Sequence, residues 1–127
     1  QKSLPETDFV ETYHRALFKS LAKSPQTVFK LLSRYLKSIR PKVTVNPDGA
    51  FDLGIDFMPE IDEALTDIMD VPLRYAEKTG KNITIAFDEF QQISCIQNRS
   101  LEKKIRNIIQ EQSNKISYIF LGSKHHM

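Results

Sequence analysis

Apolar residues recur at helical spacing near the start of the chain, where Phe9, Val10, Tyr13, Leu17, Phe18 and Leu21 follow Thr7 and Asp8, two side chains able to cap a first turn. An amphipathic helix is predicted there. Ser24-Pro25 then supplies a cap followed by proline at a first helical position, and Val28, Leu31, Leu32, Tyr35, Leu36 and Ile39 carry the stripe until Pro41 forbids extension. Two helices thus occupy residues 7–40. From Val43 the period drops from 3.6 to 2. Val43 and Val45 flank Thr44, and Phe51, Leu53, Ile55 and Phe57 alternate with Asp52, Gly54 and Asp56 around the turn cluster Asn46-Pro47-Asp48-Gly49. This predicts a β-hairpin over 43–57 with one wet and one buried face. Pro59 and Glu60 open a helix over 60–79 that ends at Thr79-Gly80, and Pro72 predicts a kink or a break near Val71.

The last third changes character again. Ile83-Thr84-Ile85-Ala86-Phe87 is a short apolar run, expected of a strand at 83–87 covered on both faces, and it stops at Asp88-Glu89. Ser100 can cap a helix carrying Leu101, Ile105, Ile108 and Ile109. A second strand, 116–121, stops at Gly122-Ser123. Strand, helix, strand at this spacing predicts a parallel βαβ unit. The expected fold class is therefore α/β, with parallel strands flanked by helices and an inserted β-hairpin.

Composition narrows the setting. The 127 residues are enough for a hydrophobic core without staples, and the single cysteine, Cys95, has no partner within the chain. No window reaches the roughly 18 apolar residues of a membrane span, so no membrane role and a reducing, cytoplasmic location are expected. The segment QKSLPETDF lacks a signal peptide's apolar stretch, and a start without Met suggests a piece of a longer protein. The net charge of +2 conceals a pattern of +6 over residues 1–42, −8 over 43–70 and +4 over 71–127. Lys23, Lys30, Arg34, Lys37, Arg40 and Lys42 run along the predicted second helix and offer a nucleic-acid footprint, although the simpler reading is a solvated helix face. The carboxylates from Asp48 to Asp70 lack the spacing of a cation-binding loop and are expected to face solvent or to screen one another.

In a parallel sheet, ligands collect beyond the carboxyl ends of the strands, which here carry Asp88-Glu89 and Gly122-Ser123. These residues resemble a family. ITIAFDEF is similar to the Walker B segment of AAA-like P-loop ATPases, and YIFLGSKHHM resembles the sensor-1 strand that follows it. The resemblance is to the archaeal-type ATPases and spans at least residues 81–127, with TDFVETYHRALFKSL similar to an earlier helix of that family. It implies that Asp88 holds Mg²⁺ through water, that Glu89 polarises the water attacking the γ-phosphate of ATP, and that Ser123 reads the phosphate or orients that water. Phosphoryl transfer is mostly positioning and charge neutralisation, which such residues supply.

One departure from the family is decisive for activity. The sequence contains no G-x-x-x-x-G-K-[ST], its four glycines being Gly49, Gly54, Gly80 and Gly122. The resemblance therefore implies the central part of an ATPase core, lacking the Walker A loop and inactive alone. It also implies that a missing strand pairs beside 117–121, so the isolated chain is expected to self-associate through a bare sheet edge. The alternative is a non-catalytic α/β scaffold that binds protein or nucleic acid through the basic helix. Other residues carry less chemistry. His125-His126 lacks a third metal ligand, Cys95 lacks a catalytic partner, and His14 reads as a surface histidine. Arg99 and Arg106 are candidate arginine fingers, with solvated helix charges as the default.

Overall fold

Proline starts both N-terminal helices, where its missing N–H costs nothing because the first amides of a helix have no intrahelical partner. In the structure, a computed structural model describing residues 5–22, 24–88 and 99–121, α1 spans Pro5–Leu21 and α2 spans Pro25–Tyr35. Helix α1 thus begins before Thr7, and Glu6 and Asp8 fall in its first turn, where negative charge favours the exposed amides. Ser24 caps α2, its Oγ accepting the Thr27 N–H at 3.2 Å. The remaining described elements are β1 (Arg40–Val45), β2 (Phe51–Phe57), α3 (Ile61–Thr79), β3 (Ile83–Asp88), α4 (Arg99–Gln112) and β4 (Ile116–Leu121). The chain is mixed α/β, with one antiparallel and one parallel two-stranded sheet among the described residues. It divides into two compact units, residues 1–71 and 72–127, the division falling inside α3.

In the first unit, α2 stops short of the extent its apolar spacing predicts. Leu36 has an extended backbone, φ −82° and ψ 140°, and its N–H closes the last turn on the Leu32 carbonyl at 3.0 Å. The next three amides then leave the helix for a side chain. Lys37 N–H donates to both carboxylate oxygens of Asp67 at 3.0 and 3.1 Å, and those of Ser38 and Ile39 donate to Oδ2 at 2.8 and 2.9 Å. A carboxylate of α3 therefore satisfies a segment that a longer α2 would have satisfied internally. Strand β1 begins directly afterwards, at Arg40 rather than Val43, with an irregularity in its pairing between Arg40 and Pro41.

The hairpin follows its alternation only in its middle, since Val45 and Phe57, expected on the buried face, are 57% and 50% exposed. Val43 pairs with Leu53 and Pro41 with Ile55 on the covered side, Leu53 being fully buried, while Arg40, Lys42, Thr44 and Asp52 are exposed. Residues 46–50 form the turn. Asn46 and Ala50 are joined at 2.7 Å, Asp48 Oδ1 accepts the Ala50 N–H at 3.0 Å, and Gly49 supplies the φ of +93° that the reversal needs. The core beneath is made by Val10, Leu17 and Phe18 of α1, Val28 and Leu32 of α2, and Ala64, Leu65, Ile68 and Met69 of α3.

Pro72 does not divide α3 into two helices, since α3 runs unbroken from Ile61 to Thr79 with the proline inside it. It ends at Gly80, whose φ of +73° and N–H bond to Ala76 at 2.8 Å close the last turn. The second unit contains a parallel βαβ arrangement, β3, α4 and β4, with pairs running from Ile83↔Ile116 to Asp88↔Leu121. One face carries Phe87, stacked on Tyr118 at 6.1 Å and on Phe120 at 5.5 Å between ring centroids. Leu101 and Ile105 of α4 are buried, and the Tyr118 hydroxyl donates to Gln112 Oε1 at 2.6 Å, tying the end of α4 to β4. The other face corrects the expectation of a doubly covered strand. Thr84, Ala86, Ser117, Ile119 and Leu121 are all exposed, Ile119 by 45% and Leu121 by 47%. Helix α4 begins at Arg99, so Ser100 sits inside the first turn rather than capping it.

Candidate functional site

Parallel pairing brings the carboxyl ends of β3 and β4 to one level, because each residue of one strand faces its counterpart in the other without a shift. Asp88 is the last residue of β3 and its backbone stands opposite Leu121, the last residue of β4. The two strands therefore end level with each other, at Asp88 and Leu121. Glu89 and Ser123, the expected water-polarising and sensor residues, lie outside the described residues, as do Cys95 and His125-His126. Arg99 opens α4 and is exposed. Arg106 is tied within α4, its Nε and Nη2 donating to Glu102 Oε2 at 3.3 and 3.0 Å. An exposed pair of this kind contributes a few tenths of a kcal/mol, about 0.3–0.5, to a helix.

Of the residues expected to serve Mg²⁺ and ATP, only Asp88 falls among the described residues, at the end of β3. A carboxylate closing an apolar parallel strand suits a hydrated magnesium ion, which takes oxygen ligands and retains several waters. No described glycine suits a phosphate. Gly49 serves the hairpin turn, Gly54 lies within β2 and Gly80 ends α3, whereas a phosphate cradle needs glycine backbone at a strand-to-helix turn. Groups holding the β- and γ-phosphates would have to come from outside these elements. Among the described residues, no three His, Cys, Asp or Glu side chains gather as a metal-binding group.

The basic run is not the helix face its spacing suggested. Lys30 and Arg34 are exposed on α2, Lys37 lies in the connection, and Arg40 and Lys42 belong to β1, where Arg40 lies 5.6 Å from the Phe57 ring centroid. Lys23 is outside the described residues. The acidic run also differs from a uniformly solvated surface, since Asp67 is 4% exposed and binds three backbone amides. No described helix is long and apolar enough to cross a membrane.

His14 is the other departure. It is fully buried, not a surface residue, and Nε2 lies 3.0 Å from the Gly54 carbonyl oxygen of β2. A carbonyl only accepts, so Nε2 carries the proton and Nδ1 of the neutral ring is left as an acceptor. Nδ1 is buried and has no hydrogen-bond partner among the described residues. The Phe18 ring packs at 5.4 Å. Burial pushes the imidazole down from 6.5 to about 4, the bond to Gly54 acts the other way, and the charge of Arg15 adds to the depression. Both missed residues had a signal in the sequence. His14 lies four residues after Val10 and four before Phe18, and Asp67 lies three after Ala64 and four before Val71, so each interrupts an apolar helical stripe. No family model, curated protein or solved structure matches the chain.

Proposed function

We propose that the chain is the central part of an ATP-binding, ATP-hydrolysing module of a cytoplasmic AAA-like ATPase, related to the archaeal-type ATPases. The observation that supports this most is the parallel, unshifted pairing of β3 and β4, which ends both strands together with Asp88 at the tip of β3. In this reading Asp88 holds hydrated Mg²⁺, Glu89 polarises the attacking water and Ser123 orients it. The metal, when bound, neutralises charge on the transferring phosphoryl group. The isolated chain is inactive in this account because it contains no phosphate cradle. The coding region upstream of Gln1 tests the reading. A G-x-x-x-x-G-K-[ST] following an apolar strand is expected within the roughly 30–50 residues that a P-loop βαβ unit occupies. An upstream reading frame without it would remove the substrate from Asp88 and Glu89.

The same reading carries self-association. The exposed face of β3 and β4 presents Ala86, Ile119 and Leu121, and each strand pairs on one side only among the described residues. An unpaired parallel edge bearing apolar side chains is a template for a second copy of the chain. Elution volume should fall with rising concentration in size-exclusion chromatography. A monodisperse monomer at every concentration would contradict it.

A further inference from the structure

The buried imidazole of His14 has no part in the proposed phosphoryl chemistry, and it sits at a contact between two elements far apart in sequence. Helix α1 reaches β2 through it, across 40 residues, by one side-chain bond to the backbone of Gly54. We propose that His14 is an acid-operated latch, holding α1 to the β1–β2 hairpin while neutral and releasing the hairpin when protonated. This inference stands independently of the ATPase reading.

The geometry makes the two protonation states unequal. The neutral ring spends its only N–H on Gly54, and its remaining nitrogen tolerates burial as a lone pair beside Phe18. Protonation adds a donor at Nδ1, where no acceptor stands among the described residues, and places a full charge in a fully buried position. Neighbouring charges offer little relief. Arg15, next in α1, opposes a second positive charge. On β2, Asp52 and Asp56 flank Gly54 but are exposed, and Lys42 of β1, opposite Gly54 in register, is exposed and positive. On α2, Lys30 and Arg34 are exposed as well. Phe18 adds no charge.

The sign follows from linkage. A group at 6.5 when released and about 4 when latched favours the closed state fully above pH 6.5, and that preference is lost as the pH falls toward 4. Opening should become about 30-fold easier between pH 7.5 and pH 5, since each unit below 6.5 counts tenfold. The test follows the three histidine imidazoles of the full chain by NMR, together with amide hydrogen exchange, over that pH range. The expected result is one imidazole still neutral at pH 5, and α1 and β2 amides losing protection while those of α4 keep theirs. His14→Gln retains a donor for Gly54 without a titrating group and should flatten the response. The proposal is overturned if every imidazole titrates near 6.5, if α1 and β2 exchange is independent of pH, or if the glutamine variant responds as the parent does. Should that variant not fold, the parent's imidazole titration and exchange still decide.

Discussion

Asp67→Ala should destabilise the first unit by about 3–5 kcal/mol, measured as a fall in urea midpoint followed by circular dichroism. Two oxygens of one side chain accept from the consecutive amides of Lys37, Ser38 and Ile39 at 2.8–3.1 Å, and the carboxylate is 4% exposed. Each charge-assisted bond is worth about 1.5–3 kcal/mol, and alanine leaves all three donors without their acceptor. Partial access of water at Lys37 and Ser38 keeps the total below the simple sum. Asp67→Asn is the informative control. Its carbonyl can take the place of Oδ2, which serves all three amides, but its NH₂ then faces the Lys37 N–H. A smaller loss, about 1–2 kcal/mol, is expected. The alanine variant should also expose the amides of residues 37–39 to rapid exchange. Stability within about 0.5 kcal/mol of the parent for both variants would show that the carboxylate does not hold this connection.

That residue also explains where reading the sequence succeeds and fails. Alternation at Phe51, Leu53 and Ile55, and the apolar runs ending at Phe87 and Leu121, depend on near neighbours, and the antiparallel and parallel sheets follow from them. The end of α2 depends on a side chain about 30 residues away. Leu36 and Ile39 are buried as the helical stripe required, but from positions beyond the end of α2, so apolar spacing alone could not find the boundary. Pro72 bears in the opposite sense, because the break it allows does not occur: it is the twelfth of the 19 residues of α3, is itself buried beside buried Val71, and the helix continues past it to Thr79. The apolar run Ile83–Phe87 predicts cover on both faces of its strand, yet Thr84 and Ala86 on the second face are exposed, as are Ile119 and Leu121 of β4. Composition identifies a surface that favours cover but does not supply it. His14 was missed for the reason that titratable residues often are. Its place in the stripe was visible, but the acceptor that makes burial tolerable belongs to the backbone of another element. At the candidate site, the strand ends were legible in the sequence, and the structure puts the backbone of Asp88 beside that of Leu121.

The largest effect on activity is expected at Glu89. If it polarises the attacking water, replacing its carboxylate by an amide removes the group that accepts hydrogen-bonding from that water while leaving size and metal ligation nearly unchanged. General base contributions of this kind are worth about 10²–10⁴ in rate, or about 3–5 kcal/mol in activation free energy. Asp88→Asn should differ, because it weakens the hold on Mg²⁺ and raises the magnesium concentration needed for turnover. The decisive measurement is ATP turnover and ATP retention, side by side, for the product of the gene encoding this chain and its Glu89→Gln variant. The account predicts at least a 100-fold loss of turnover in the variant, with ATP still bound and Mg²⁺ still required. Turnover unchanged by the substitution, in a protein that does hydrolyse ATP, would contradict the assignment of this strand end to catalysis.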